Sequence, residues 1–264
     1  MATSPPKTLQ LSIIIVNYLT DQLILNLLVK LGGSSEIQII IVDNSPKNTI
    51  QKKLKTSFPF VQYHFMGKNL GFANANNHGI KLAQADWILL LNSDTLTTIA
   101  DLKNLLRHTQ ESEYLVATPR LIDKAGKVEN NVGYFDSPLS SPLNWVLARP
   151  RFLNCQRALG ASEVDLLTGA AMLVNKSVFD SIGLLDDLNY FMYFEDIDFS
   201  YRLFKAKIKV LYDSSVTIIH FKGASSNQNL SQKNVNYRQG LATYVKKYRG
   251  KFIQYINTNI GFFR

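Results

Sequence analysis

The sequence predicts an α/β fold with an open, mostly parallel sheet wound on both faces. Three observations predict it. Short continuous apolar runs rich in β-branched residues recur through the first hundred positions, stretches of helix length lie between them, and each run closes on a polar residue. Leu9–Val16, Ile37–Val42 and Trp87–Leu91 are the runs, read as strands buried on both faces. Helices are expected over Asp21–Leu31, Thr49–Thr56 and Ala73–Gln84. Further on, Lys127–Tyr134 and Asp165–Asn175 read as strands and Glu195–Ala206 as a helix. Ile208–Tyr212 and Ser215–Phe221 read as a closing pair of strands. Phe135–Gly160 carries three prolines and no clear period, which makes it a candidate lid or acceptor loop, with Trp145 and three arginines in it.

Composition bounds the function. A chain of 264 residues with 46% hydrophobic and 19% charged residues is not a disordered polymer and can bury a core without staples. One cysteine, Cys155, excludes a disulfide scaffold and a cysteine-based zinc site. No apolar run approaches the roughly 18 residues of a membrane span. Met1–Thr8 lacks the pattern of a secretory signal, so a reducing, cytoplasmic setting is expected. Of the net charge of +9, eight charges fall after Asp213, where no acidic residue occurs. In that tail Tyr237, Leu241, Tyr244, Tyr248, Phe252 and Tyr255 recur every three or four positions. Residues 230–264 are therefore expected to form a basic amphipathic helix. It could lie peripherally on the inner face of an anionic membrane, or dock on its own domain or on a second subunit as a homodimer.

The polar strand ends carry the chemistry. Asn17, Asp43-Asn44 and Asn92-Ser93-Asp94 follow the three runs, and ligands of open α/β sheets bind outside the carboxyl ends of the strands. Asn and Asp also simply begin turns there. No glycine-rich phosphate loop follows the first strand, so a dinucleotide reductase and a P-loop enzyme are excluded. A nucleotide would need side chains and a metal to hold its phosphates. Asp94 offers a carboxylate to a hard cation such as Mg²⁺. His220, closing the run Val216–Ile219, offers an imidazole that suits Mn²⁺. Glu195, Asp196 and Asp198 sit beside an aromatic run (Tyr190, Phe191, Tyr193, Phe194), where a half-buried carboxylate can serve as a general base. Asn69 and Gly71 open the third helix with amide groups and room for close backbone approach.

Seven segments in order resemble glycosyltransferase family 2, the inverting transferases of GT-A fold, in a rhamnosyltransferase-like branch that builds bacterial surface polysaccharides. They are I-I-I-V-N-Y at 13–18, I-V-D-N-S at 41–45, N-L-G-F-A-N-A-N-N at 69–77, L-N-S-D at 91–94, T-G-A-A-M at 168–172, F-E-D-I-D at 194–198 and H-F-K-G-A-S-S at 220–226. The resemblance implies a catalytic domain over 9–226, with a Rossmann-like nucleotide-binding half at 9–97 and an acceptor-binding half at 98–226, followed by the extension 227–264. It implies that Val16, Asn17, Tyr18, Asp43, Asn44, Asn69, Gly71, Asn92 and Ser93 bind the nucleotide, with Asp43 on the base. Asp94 and His220 would hold Mg²⁺ or Mn²⁺, Asp196 would be the base with Glu195 beside it, and Gly169, Ala170, Glu195 and Trp145 would meet donor sugar and acceptor. The donor would be a dTDP- or UDP-sugar carrying rhamnose or a hexose. The acceptor would be a glycan or a lipid-linked saccharide, and no nucleic acid is expected. Two departures stand out: Asn92 replaces the first acid of the family's D-x-D motif, and Leu19 replaces a common Asn. The alternatives are a sugar nucleotidyltransferase or a catalytically impaired sugar-nucleotide-binding protein.

Overall fold

The computed structural model describes residues 9–136, 150–157, 160–221 and 230–260. The chain opens β1 (Leu11–Asn17), α1 (Asp21–Leu31), β2 (Ile37–Asp43), α2 (Gln51–Ser57), β3 (Val61–Phe65), α3 (Phe72–Leu82) and β4 (Trp87–Asn92). This is the alternation that the apolar runs predict. β5 (Thr95–Leu96), α4 (Ile99–Glu111) and β6 (Val116–Ile122) follow. α4 starts where Thr98 and Asp101 form a reciprocal capping box. Then come β7 (Val132–Tyr134), β8 (Arg151–Phe152), β9 (Ala161–Val164), β10 (Leu166–Leu167), β11 (Ala171–Asn175) and α5 (Lys176–Ile182). α6 (Glu195–Lys205), β12 (Val210–His220) and α7 (Leu230–Ile260) close the described chain.

Eight strands run in the order β3-β2-β1-β4-β11-β6-β12-β5, with β9 added against β12. The first four are mutually parallel; β11 is antiparallel to both β4 and β6, and β12 is parallel to β6. The two expected halves thus share one sheet. Alternate residues of β1 face opposite sides: Ile13 and Ile15 join a core with α1, α2 and α4, while Ile14 faces a second core with α3, α5 and α6. Both faces are covered, which explains why the parallel strands read as unbroken apolar runs.

Several expectations change. Asp165–Asn175 is not one strand: it breaks at Thr168-Gly169-Ala170 into β10 and β11, which belong to different sheets. Ile208–Tyr212 and Ser215–Phe221 are not a pair of strands but the single strand β12, which carries an irregularity between Asp213 and Thr217. Ser214 and Ser215 sit in that irregularity, where Ser215 bonds back to Asp213. Of Lys127–Tyr134 only the last three residues form a strand. Trp145 and residues 222–226 lie outside the described residues, and the expected loop holds β8 and a 3₁₀ turn at Cys155–Arg157.

α7 docks on its own domain. Tyr244 is fully buried with Tyr190, Phe194 and Tyr201. Lys247 donates to both Asp198 (2.6 Å) and Asp186 (2.7 Å), and the Tyr248 hydroxyl donates to Asp198 at 2.8 Å. Burial alone would raise Asp186, but the Lys247 ammonium and Asn189 hold its carboxyl below the usual range. Arg249, also buried, donates to the Tyr201 hydroxyl. Among the described residues, Leu241, Tyr244 and Tyr248 of the apolar stripe pack on the protein's own Tyr190, Phe194 and Tyr201, and Lys247 and Arg249 turn the same way. Among the described residues no helix is long and apolar enough to cross a membrane.

Candidate active site

The strand register builds the site. Asn17 lies level with Asp43, and Val16 level with Asn92, so the polar ends of β1, β2 and β4 form one edge. The break before β11 adds Gly169 and Ala170 to it: the Asn92 N–H donates to the Ala170 carbonyl at 3.0 Å. β12 pairs His220 with Thr95, and the Phe221 N–H donates to the Asp94 carbonyl at 2.7 Å. Residues more than a hundred positions apart are thereby held side by side.

A cleft of about 840 Å³ opens on this edge. Val16, Tyr18, Asn44, Asn69, Asn92, Ser93, Asp94, Gly169, Ala170, Glu195, Asp196 and His220 line it, all of them expected from sequence. Asn17, Asp43 and Gly71 do not. Asn17 is buried and accepts from the Thr20 N–H and hydroxyl, holding the start of α1. Asp43 is fully buried, accepting from the Ser45 N–H at 2.9 Å and from the Tyr63 hydroxyl at 2.7 Å. Burial and that carboxylate push the Tyr63 hydroxyl far up, so it stays a donor. Gly71, at φ +90°, lies against the Phe191 carbonyl, with which any Cβ would collide. Its own carbonyl accepts from the Asn44 amide.

His220 Nε2 lies 3.4 Å from Asp94 Oδ1, while its Nδ1 faces Glu129 Oε2 at 3.2 Å. Burial opposes a charged ring, but the two carboxylates outweigh it and push the imidazole up to about 9. Glu129 was not singled out from sequence, since it belongs to a stretch that reads as a strand. The buried Asn92 Oδ1 next to this pair has no hydrogen-bond partner among the described residues. A carboxylate, an amide oxygen and an imidazole form a donor set suited to Mg²⁺ or Mn²⁺. Among the described residues no cluster of three or more His, Cys, Asp or Glu side chains is arranged to hold a metal alone. A cation here would need further oxygens, such as those of a diphosphate.

The acidic pair opens α6. The Gly169 N–H donates to Asp196 Oδ2 at 2.9 Å and the Ile197 N–H to Oδ1 at 2.8 Å, so both oxygens are oriented. Glu195 is buried and its Oε2 has no described partner. Burial, then the neighbouring Asp196 charge, pushes Glu195 up to about 8. Burial also raises Asp196, against the pull of its two N–H donors, which favour the carboxylate. Of the pair, Glu195 therefore holds the proton. The backbone that delivers these acids is strained: Tyr193 and Phe194 both adopt left-handed φ, at 70° and 72°. Gly240 of α7 is pressed against them, where a Cβ would come within 2.8 Å of the Tyr193 carbonyl oxygen.

A second cavity, of about 620 Å³, lies at the opposite ends of β1 and β4, around Gln10, Asp86 and Trp87, far from these strand ends.

Known proteins share this architecture. A solved structure, GalNAc-T7 with UDP, GalNAc and Mn²⁺, superimposes with a TM-score of 0.62 over 81% of this chain and 44% of that one, at 14% identity. That likeness shows the GT-A fold. The low-salt glycan biosynthesis hexosyltransferase Agl10 of Haloferax volcanii is 29% identical over 214 residues, or 80% of this chain and 66% of that protein. This chain thus spans about two thirds of that relative's length. The N-acetylglucosaminyl-diphospho-decaprenol L-rhamnosyltransferase of Mycobacterium tuberculosis is 27% identical, over 75% of this chain and 71% of that protein. Rhamnosyltransferase WbbL of Escherichia coli is 26% identical, over 79% of this chain and 82% of its own. The family described as Glycosyl transferase family 2 matches residues 12–183, from β1 through α5, and the chain belongs to it.

Proposed function

We propose that the protein transfers a sugar, rhamnose or a hexose, from a nucleoside diphosphate sugar to a hydroxyl of a glycan or lipid-linked acceptor, with inversion at the anomeric carbon. The relatives named above, two rhamnosyltransferases and a hexosyltransferase, support this class of substrate. The observation that carries the reading is the shared cleft: the Asp94–His220 pair and the oriented Asp196 carboxylate open into one cavity.

The polar strand ends bind the nucleotide. Val16, Tyr18, Asn44 and Asn69 line the nucleoside side, and the buried Asp43–Tyr63 bond fixes the end of β2 beneath them. Asp94, His220 and the Asn92 amide oxygen would hold Mg²⁺ or Mn²⁺ together with diphosphate oxygens, while Glu129 orients the His220 ring through Nδ1. When bound there, a divalent cation would supply charge neutralisation for the departing diphosphate. Asp196 accepts the proton of the acceptor hydroxyl as its oxygen bonds to the anomeric carbon. The bond from that carbon to the diphosphate oxygen breaks, and the electron pair leaves with the nucleoside diphosphate. The two N–H bonds favour the carboxylate form against burial and aim it, and the neutral Glu195 beside it avoids a second negative charge.

The test is Asp196→Asn. Loss of one general base lowers turnover by about 10²–10⁴-fold, while affinity for nucleoside diphosphate with Mn²⁺, measured by titration calorimetry, stays within a few-fold. Wild-type turnover in that variant would remove Asp196 from the role.

A further inference from the structure

We infer that α7 supplies an acceptor subsite in which Lys233 binds a phosphate carried by the acceptor next to an apolar stem. This rests on the glycosyl-transfer reading. Lys233, Tyr237 and Leu241 stand four residues apart on one helix face, and all three line the cleft. Lys233 is the single Lys or Arg among the described lining residues, whereas four carboxylates line the same cavity. It is half-buried, and no described carboxylate pairs with it. The next two turns offer not polar groups but a ring and an isobutyl group. The Tyr237 ring is about half exposed, and its centroid stands 5.1 Å from that of Phe194 and 6.3 Å from that of Tyr193. A nucleoside diphosphate has polar bodies on both sides of its phosphates and is served by the strand-end amides and the Asp94–His220 pair. An ammonium followed by aromatic and aliphatic surface fits a phosphate attached to hydrocarbon, as in a lipid-linked saccharide.

The experiment is calorimetric titration of farnesyl phosphate and of neutral farnesol, both below micelle formation. The protein is first saturated with Mn²⁺ and whichever of dTDP, UDP or GDP binds it best. The wild type is expected to prefer the phosphate by ~10-fold or more, the scale of one charge-assisted contact. Lys233→Met should erase that preference and Lys233→Arg should keep it, with nucleotide affinity unchanged in both. Equal binding of the two probes by the wild type overturns the inference. So does a preference that survives Lys233→Met, or, with protein holding Mn²⁺ alone, displacement of bound farnesyl phosphate on adding the nucleotide, which would assign Lys233 to the donor. Failure of all three nucleotides to bind the wild type would instead sink the glycosyl-transfer reading, and the two failures are read separately.

Discussion

Leu19 shows what a single residue can reveal. It follows Tyr18 at the rim of the cleft, is half exposed, and has φ 57° with its N–H donating to the Ser45 hydroxyl. A leucine in the left-handed region crowds its own Cβ, which asparagine and glycine tolerate better. An asparagine at this position would suit the turn. Leu19→Asn is expected to stabilise the protein by ~0.5–1 kcal/mol, read as a rise in Tm of the free protein; a fall would mean that the leucine packs better than its exposure suggests. Residue types at strand ends were legible in the sequence because three apolar runs each close on a carboxylate or amide, although such residues also begin turns, as Asn17 does. What each one touches was not. Asp43 and Asp94 look alike in sequence, yet the first is sealed against Tyr63 and Ser45 while the second meets His220 in the cleft. That difference is set by side chains from other elements.

At the scale of elements, the parallel strands and the helices between them were readable, since both faces of the sheet are covered and the apolar runs stay unbroken. One misread segment is where backbone serves the site. Thr168-Gly169-Ala170 leaves the ladder so that the Gly169 N–H can meet Asp196, and an apolar neighbourhood gives no sign of that break. α7 was read as an amphipathic helix that could dock on its own domain, and it does. Its stripe of aromatics was visible, but the surface that receives it is assembled from Tyr190, Phe194 and Tyr201, far apart from it in the chain. Gly240 tests this docking. In a free helix, Gly→Ala gains ~0.5–1 kcal/mol. Here the added methyl meets the Tyr193 carbonyl and the Phe194 ring, so Gly240→Ala is expected to lower Tm. The transfer rate should also fall, because the left-handed pair that presents Glu195 and Asp196 must shift. A raised Tm with unchanged rate would show that the contact yields freely.

At the scale of the whole molecule, one buried proton links the site to global stability. Glu195 is raised from its usual value to about 8, so the folded state holds a proton that the unfolded chain has lost. Its contribution is fully present below the unfolded carboxylate range, declines as pH rises, and is gone above about 8. Glu195→Gln removes the titration while keeping the shape. The variant is expected to gain several degrees of Tm over the wild type at pH 8 and little at pH 4, followed by calorimetric scans across that range. An equal gain at both pH values would mean that the carboxyl is ionised in the fold. Of the tail's eight cations, which suggested an outside anion, Lys247 and Arg249 turn inward in the folded molecule, because Asp186, Asp198 and Tyr201 lie where the helix lands. This landing also orders events in time. The floor of the cleft ends with His220, but one wall waits for Lys233, Tyr237 and Leu241. A ribosome adding roughly 5–20 residues per second releases the sheet before that wall exists. The nascent chain therefore passes through an interval in which its crevice stands open to water, and the pocket is closed by a helix made after its floor.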